Sequence, residues 1–333
     1  MCIDTGLVFT TDINTAKVNE VKVFGPVPSR RLGRSMGINN IPAKVCTYNC
    51  AYCQLGRSLR MEVERTPFYE PREIFDEARA KVEEARQIGI RIDYLTFVPD
   101  GEPTLDVNLG REIEMLRPLG IKIAVITNGS LISREDVRSE LTQADWVSLK
   151  VDCTQEEVWR VINRPQIALQ LSAILEGMQD FASFFKGELV TETMLVRGLN
   201  DNSDQLHKVA GFLKRLQPAK AYVSVPTRPP AERWVEYPDE KSVSEAYQIF
   251  TEHVKAVEYL IDYEGTDFSL GGDPEKDILS ITAVHPMREK ALKKLLLKAG
   301  VDWSVVDILL KEGKLLELVY RGRSFYMRKL PGR

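Results

Sequence analysis

Three cysteines, Cys46, Cys50 and Cys53, lie close together and are the clearest chemical feature of the chain. No fourth cysteine or histidine is near them in sequence, so a closed four-ligand zinc site is not complete here. A four-iron, four-sulfur cluster needs one ligand for each iron, so three cysteines would leave one iron open to bind another molecule. The alternatives are three incidental buried thiols or part of a zinc site.

The spacing C-x₃-C-x₂-C, with the aromatic Tyr52 before the third cysteine, resembles the signature of the radical S-adenosylmethionine (radical SAM) superfamily. The resemblance implies a [4Fe–4S] cluster held by the three cysteines, with S-adenosyl-L-methionine (SAM) bound to the open iron. It also implies that one electron, from a donor such as flavodoxin or ferredoxin, cleaves SAM reductively. The product would be a 5′-deoxyadenosyl radical that abstracts hydrogen from a substrate.

Motifs at the ends of later predicted strands extend this resemblance. One strand runs into Gly101-Glu102-Pro103, where the superfamily has a Gly-Gly-Glu-type motif for the amino group of SAM, although Asp100 replaces the first glycine. The next predicted strand ends in Thr127 and Asn128, and the strand after it contains Ser148. The counterparts of these residues in relatives contact SAM. The expected cofactor-binding residues are therefore Tyr52, Gly101, Glu102, Pro103, Thr127, Asn128 and Ser148.

Charged side chains near the strand ends are weaker candidates for substrate binding or catalysis. Lys150 and Asp152 alternate with Ser148 and so share its face of the strand. Burial of such charges is costly unless they are paired or used, and a structural ion pair is the alternative. Arginine forks suit a phosphate or carboxylate, although surface ion pairs also account for them. The arginine candidates are Arg30, Arg31, Arg164 and Arg228.

The resemblance narrows to one group within the superfamily. Four segments, residues 25–33, 46–56, 101–105 and 226–232, are similar to the iron–sulfur oxidoreductases labelled wyosine-base-formation-like, and the match covers roughly residues 23–240. The label is a family name that leaves most members' substrates open. It therefore does not decide the reaction.

Alternating strands and helices must bring these loops together. Apolar runs predict strands and helical periodicity predicts the segments between them. The strands are predicted at 35–41, 92–98, 121–126, 146–151, 189–196 and 220–225. The helices are predicted at 71–89, 107–116, 134–141 and 203–216, with helical stretches between 156 and 181. Such alternation implies an α/β fold with a parallel sheet. The resemblance makes this a partial (βα)6 TIM-like barrel, whose working groups lie at the carboxyl ends of the strands.

The chain divides into three predicted parts. Residues 1–22 are an N-terminal arm or strand, residues 23–270 the radical SAM partial barrel, and residues 275–333 a small basic winged-helix-like domain. Helices at 277–283, 286–299 and 303–311, followed by a hairpin about Arg321-Gly322, predict the winged helix. Residues 275–333 contain 13 Lys and Arg and 7 Asp and Glu, so this segment has a formal charge of +6, whereas the whole chain has −3. Such a domain can bind nucleic acid or dock a protein.

Composition sets the remaining expectations. A chain of 333 residues with 44% hydrophobic content can bury a large core. No apolar run is long enough to span a bilayer, and the first residues lack the pattern of a signal peptide. We therefore expect a cytoplasmic protein with no membrane partner. Clustering of three of the five cysteines favours metal binding over disulfides.

Three functional hypotheses follow from the sequence. The leading one is a radical SAM enzyme that acts on an RNA base, as in tRNA modification, and binds RNA through its C-terminal domain. The second is the same chemistry on a protein or a small metabolite that carries a phosphate or carboxylate. A hypothesis of another class is an iron–sulfur redox-sensing winged-helix regulator, which would not need the SAM motifs at the strand ends.

Overall fold

The computed structural model describes residues 22–261, 273–284 and 286–329. The N-terminal arm predicted for residues 1–22 therefore lies outside the described residues, apart from residue 22. A large hydrophobic core lies within residues 23–257, and a smaller one lies within residues 278–326. No helix in the described part of the chain is long and apolar enough to cross a membrane.

An eight-stranded sheet, counted over the described residues, forms the centre of the first range. The strands in this range are β1 (Val23–Ser29), β2 (Gly33–Ile38), β3 (Val45–Cys46), β4 (Arg60–Met61), β5 (Tyr94–Phe97), β6 (Lys122–Thr127), β7 (Trp146–Lys150), β8 (Glu188–Met194), β9 (Lys220–Ser224) and β10 (Val257–Leu260). The sheet order is β1-β2-β5-β6-β7-β8-β9-β10, and β3 and β4 form a separate short pair. Only β1 is antiparallel to its neighbour within this sheet.

The sheet curls into a partial barrel, so the predicted α/β fold with a TIM-like partial barrel is confirmed. All six predicted strands are present, with ends that differ by a few residues. The edge strand β1 and the seventh parallel strand β10 were not predicted. Pro26 and Pro28 interrupt β1, and its pairing is irregular between Phe24 and Val27, so its sequence lacks the alternation of a regular strand.

Helices connect the strands and pack against the sheet. They are α1 (Pro71–Gln87), α2 (Leu109–Leu116), α3 (Glu135–Leu141), α4 (Glu156–Ile162), α5 (Leu171–Phe184), α6 (Ser203–Leu216) and α7 (Glu240–Thr251). On α1 the buried residues Ile74, Ala78, Val82 and Ala85 recur every three or four positions, as an amphipathic helix requires. The helical stretches predicted between 156 and 181 are two helices, α4 and α5. They are separate because Arg164 has a φ of +48° and Pro165 follows it.

The two faces of the sheet have different partners. Side chains such as Leu95, Val125 and Leu149 point outward and join the helices in the large core. The alternate residues point inward, where Ala124, Trp146, Val190 and Tyr222 pack around Leu32 in a separate apolar layer. Nearer the carboxyl ends of the strands, the inward residues line a cavity, and they are Thr96, Ile126, Lys150, Glu192 and Ser224.

The C-terminal unit contains three helices and three strands among its described residues. They are α8 (Pro274–Val284), β11 (Met287–Arg288), α9 (Glu289–Ala299), α10 (Ser304–Lys311), β12 (Leu315–Tyr320) and β13 (Arg323–Arg328). The antiparallel sheet has the order β11-β13-β12. The predicted hairpin is confirmed, since Tyr320 pairs with Arg323 around the turn. The helix predicted from 286 instead begins at Glu289, because Met287 pairs with Tyr326 and is buried.

A buried carboxyl pair lies beside the loop that follows β5. Glu112 on α2 accepts a hydrogen bond from Asn40 Nδ2 at 3.2 Å, and the same Nδ2 donates to Pro103 O at 3.3 Å. Burial, and next the Asp106 carboxylate, raise the pKa of Glu112 to about 9. The unfolded chain would lose this proton near the ordinary carboxyl pKa of about 4.3. Unfolding therefore releases a proton between these two pH values, and stability contributed by protonated Glu112 is lost as the pH rises.

We predict that Glu112→Gln makes the unfolding free energy less dependent on pH, because glutamine stays neutral. The wild type should lose stability relative to this variant as the pH rises from about 5.5 to about 8.5. Urea unfolding midpoints at both pH values measure the difference, and Glu114→Gln on the exposed side of α2 is the control. If the difference in unfolding midpoint between wild type and Glu112→Gln stayed constant over this pH range, the raised pKa of Glu112 would be contradicted.

Candidate active site

A cavity of about 360 Å³ lies at the carboxyl ends of the parallel strands. Its wall includes Cys46, Cys50 and Cys53, together with the inward-facing side chains at the ends of β5 to β9. Several loops from different strands converge there, which is where a barrel of this type places its working groups. The volume is within the range of small-molecule binding sites.

The cysteine loop follows β3 directly. Cys46 is the last residue of β3, and Cys50 and Cys53 lie in the loop, where the N–H of Cys53 donates to Cys50 O at 3.1 Å. All three thiols are free and half-buried. Asn128 Nδ2 donates to Cys46 Sγ at 3.6 Å, and Asn163 Nδ2 donates to Cys50 Sγ at 3.7 Å. Two asparagines from separate loops therefore hold two of the three sulfur atoms.

Three free thiols in one short segment match the ligand set of an iron–sulfur cluster. Burial, and next the Glu102 carboxylate, raise the pKa of Cys46 to about 12, and burial also raises the pKa of Cys50. Iron binds the thiolate, so binding would release protons. A [4Fe–4S] cluster, in which each thiolate binds a different iron, fits this arrangement.

The loop after β5 supports the strand that ends at the first cysteine. The N–H of Glu102 donates to Val45 O at 3.2 Å, and Gly101 lies so close that a Cβ on it would be 1.8 Å from the same oxygen. The buried carboxylate of Glu102 accepts hydrogen bonds from Thr127 Oγ1 at 2.6 Å and from the N–H of Asn128 at 2.8 Å. Glu102 therefore fixes the turn from which Asn128 reaches the first sulfur atom.

The residues expected to bind SAM fall into two groups. Tyr52 and Gly101 line the cavity, whereas Glu102, Pro103, Thr127, Asn128 and Ser148 are not part of its lining. The carboxylate of Glu102 is used by internal hydrogen bonds, and Pro103 begins a short 3₁₀ turn. Ser148 is paired in the sheet with the cavity-lining Ile126. Its Oγ is buried and has no hydrogen-bond partner among the described residues. A buried hydroxyl without a partner can bind a polar ligand such as SAM, and this one lies on the strand next to the cavity-lining Ile126.

An ion network crosses the wall of the cavity between β7 and β8. Lys150 Nζ donates to Glu192 Oε1 at 2.9 Å, and Arg31 Nη1 donates to Glu192 Oε2 at 2.5 Å. Burial alone would raise the pKa of Glu192, but Lys150 and Arg31 hold it well below its ordinary range. Burial would lower the pKa of Lys150, yet Glu192 raises it. Lys150 and Glu192 therefore stay charged, and the Glu192 carboxylate binds both Lys150 and Arg31.

Asp152 lies behind the cysteine loop and does not line this cavity. Its Oδ2 accepts hydrogen bonds from Tyr52 OH and from Asn163 Nδ2, the latter at 2.7 Å, and its Oδ1 accepts one from the N–H of Met194 at 2.8 Å. Asn163 also contacts Cys50 Sγ. Asp152 thus fixes the two side chains that support the middle of the cysteine loop.

The predicted arginines separate by position. Arg30, Arg31 and Arg228 line the cavity, and Arg228 Nη1 donates to Gln54 Oε1 at 2.6 Å. Arg164 instead forms an ion pair with Glu232 at 2.5 Å. Arg164 is therefore part of an ion pair outside the cavity wall.

Two functional residues were missed by sequence reasoning. Glu192 lies directly opposite Lys150 in the parallel pairing of β7 and β8, and an acidic residue between two threonines inside a predicted strand was the available signal. Asn163 precedes the Arg164-Pro165 segment and gives no sequence signal of its own. Its role depends on the bend that brings α4 against the cysteine loop, where the N–H of Ala51 donates to Ile162 O at 2.8 Å.

Comparisons with known proteins identify the family and relatives of this chain. A family model described as the radical SAM superfamily matches residues 40–210. The chain is 46% identical over 312 residues to the UPF0026 protein MJ1312 of Methanocaldococcus jannaschii, covering 93% of this chain and 97% of the relative. It is 27% identical over 159 residues to a probable GTP 3′,8-cyclase of Thermococcus kodakarensis, covering 47% of this chain and 46% of the relative.

A solved structure shares the fold. The radical SAM methyltransferase from Sphaerobacter thermophilus has a TM-score of 0.52 and 14% sequence identity, with 68% of this chain and 66% of that chain covered. At this identity the likeness concerns the fold alone.

We predict that Gly101→Ala disrupts the cysteine site, because a Cβ would overlap Val45 O and push the loop away from β3. Iron content after anaerobic reconstitution should fall several-fold. Gly211→Ala is the matched control, since a Cβ there meets no atom within 4 Å and alanine is favoured in a helix. Equal iron content in both variants would contradict the role of the close packing.

We also predict that loss of either asparagine lowers the reduction potential of the cluster. The N–H···S bonds from Asn128 and Asn163 stabilise the more negative reduced cluster, so Asn128→Ala and Asn163→Ala should each shift the potential down by tens of millivolts. A redox titration followed by electron paramagnetic resonance measures this. The control is Asn108→Ala, whose amide contacts Tyr69 O instead, and potentials equal to wild type in both variants would disprove the assignment.

Proposed function

The chain belongs to the radical SAM superfamily and is a radical SAM enzyme, and we propose that its cavity holds a [4Fe–4S] cluster on Cys46, Cys50 and Cys53 with SAM beside it. The observation that carries the proposal is the convergence of three free thiols on one wall of a cavity whose opposite residues are polar and charged. When bound, the two cofactors supply the reductive cleavage of SAM to a 5′-deoxyadenosyl radical, which takes hydrogen from a substrate.

The protein's own residues bind the cofactors, orient the thiols and shield the cavity from water. Asn128 and Asn163 orient two thiols, and Glu102 holds Asn128 in place. The candidate contacts for the polar parts of SAM are the buried hydroxyl of Ser148, which has no partner among the described residues, and the cavity-lining Lys150, which also pairs with Glu192. The apolar layer around Trp146 and Leu32 closes the amino end of the barrel, which excludes water and competing hydrogen donors from a reactive intermediate.

For the substrate, we propose a nucleotide unit, with an RNA base as the leading candidate. Arg30 and Arg228 on the cavity wall suit a phosphate, since guanidinium groups bind phosphate oxygens through paired hydrogen bonds. The relative named a probable GTP 3′,8-cyclase acts, by its name, on a nucleotide, and the resemblance to the wyosine-labelled group points the same way. A protein or a small metabolite with a phosphate or carboxylate is the second candidate.

If RNA is the substrate, we propose that α9 in the C-terminal unit provides an additional contact. The exposed residues of α9 include Lys290, Lys293, Lys294 and Lys298. In contrast, the exposed charged residues on and beside α10 include three acidic ones, Asp302, Asp307 and Glu312, and the basic Lys311. A polyanion would therefore favour the surface of α9 over that of α10.

We propose a flavodoxin-like or ferredoxin-like protein as the one-electron donor. The cluster would need an external electron for each cleavage of SAM, and the described residues provide no second group of cysteines. The three thiols are half-buried and Arg57, just beyond them in the chain, is exposed, so the cysteine loop lies close to the surface.

The central experiment measures 5′-deoxyadenosine after anaerobic reconstitution, reduction with dithionite and addition of SAM. Wild type should produce it, and Cys50→Ala should lose production by at least about a hundredfold, because a cluster ligand is removed. Cys153→Ala is the matched control, since this thiol is buried away from the cavity wall. Production by Cys50→Ala at the wild-type rate would refute the proposal.

The RNA hypothesis has a separate test in the salt dependence of tRNA binding. Removing two exposed charges with Lys290→Ala/Lys294→Ala should reduce the slope of log affinity against log salt by about 2. The control, Lys208→Ala/Lys214→Ala, removes the same charge from α6. Filter binding of unfractionated tRNA between about 50 and 200 mM salt gives the slopes. An unchanged slope in the α9 variant would contradict RNA binding at this helix.

A further inference from the structure

The segment from Pro226 to Tyr237 connects the cavity with the cysteine loop. It leaves β9 at the carboxyl end of the barrel, and its first residues, Pro226, Thr227 and Arg228, line the cavity. Arg228 donates to Gln54, the residue that follows the third cysteine. The N–H of Glu232 donates to Ala51 O at 3.0 Å. The position of this segment therefore affects both a cavity arginine and the loop that carries the thiols.

The turn of the C-terminal hairpin contacts both ends of this segment. Tyr320 OH donates to Pro226 O at 2.9 Å. The guanidinium of Arg321 lies over the ring of Tyr237, 4.0 Å from its centroid. Two consecutive residues of the C-terminal unit thus contact the first and the last residue of a twelve-residue segment.

The backbone conformation of the turn does not favour arginine at position 321, so its side chain must explain why arginine is there. Arg321 has a φ of +50° and Gly322 a φ of +69°. A two-residue hairpin turn with positive φ at both positions favours Asn-Gly or Gly-Gly, and arginine adopts this conformation less readily. The contact with Tyr237 explains arginine at this position, because a guanidinium group above an aromatic ring is attracted to the ring.

A second part of the cavity rim also rests on the C-terminal unit. Val27 of β1 packs against the small core that includes Ile278 and Met287. Val27 itself lines the cavity, and so do the residues that follow it, Pro28 to Leu32. The C-terminal unit therefore contacts two separate segments of the cavity wall.

We infer that the C-terminal unit is a structural part of the cavity wall, and that Tyr320 and Arg321 are positioning residues that hold the 226–237 segment, and with it Arg228, in place. This role does not depend on the class of substrate. It differs from the wing of a nucleic-acid-binding winged helix, whose tip contacts phosphate, because here the tip is engaged with the barrel.

Hydrogen–deuterium exchange of the reconstituted full chain tests the inference. Arg321→Asn removes the contact with Tyr237 while placing a residue that prefers the turn conformation, and Tyr320→Phe removes the hydrogen bond to Pro226. Each variant should exchange the amides of residues 231–237 at least about fivefold faster than wild type. Peptides from α8 and α9 should keep their protection, which shows that the C-terminal unit remains folded.

Two further variants separate positioning from a general effect of substitution. Arg323→Ala removes the same charge two residues away, and residues 231–237 should exchange as in wild type. Tyr237→Phe keeps the aromatic face and should also match wild type, whereas Tyr237→Leu should reproduce the fast exchange of Arg321→Asn.

Three outcomes would overturn the inference. Wild-type exchange of residues 231–237 in both Arg321→Asn and Tyr320→Phe would show that the contacts do not hold the segment. Equally fast exchange in Arg323→Ala would assign the effect to lost charge, and equal rates in Tyr237→Phe and Tyr237→Leu would remove the role of the ring. If α8 and α9 lose their protection from exchange in Arg321→Asn, the C-terminal unit has unfolded in that variant. The exchange rate of residues 231–237 in Tyr320→Phe then tests the inference.

Discussion

The close contact between the loop after β5 and the strand that ends at Cys46 is the constraint on which the site depends. Gly101 lies against Val45 O with no room for a side chain, and Glu102 continues the contact through its N–H. The same Glu102 carboxylate then fixes the turn after β6, from which Asn128 reaches the first sulfur atom. One buried acid therefore links two strand ends to the cysteine loop.

The pleat of the parallel sheet explains why polar groups gather at one end of an apolar barrel. Every second residue points inward, so the inward side of β7 carries Trp146, Ser148 and Lys150 in order toward its carboxyl end. Trp146 belongs to the apolar layer, whereas Lys150 reaches the cavity and pairs with Glu192. Each strand thus supplies packing at its start and chemistry at its end.

The sequence was sufficient for features that depend on local pattern. Six central strands are recognisable because they are buried apolar runs, and the cysteines because their spacing is itself the signal. Features that depend on pairing between distant segments were not accessible. The partner of Lys150 is set by the register of β8. The direction of the Glu102 carboxylate, toward Thr127 and away from the cavity, is set by the packing of two loops.

The central claim is that three thiols leave one iron of the cluster open to bind SAM. Electron paramagnetic resonance of the dithionite-reduced cluster, recorded before and after addition of SAM, tests this most directly. Binding of SAM to an open iron should change the g values of the cluster signal, and SAM carrying nitrogen-15 in its amino group should give hyperfine coupling to the cluster. A spectrum that SAM leaves unchanged, together with no such coupling, would contradict the account.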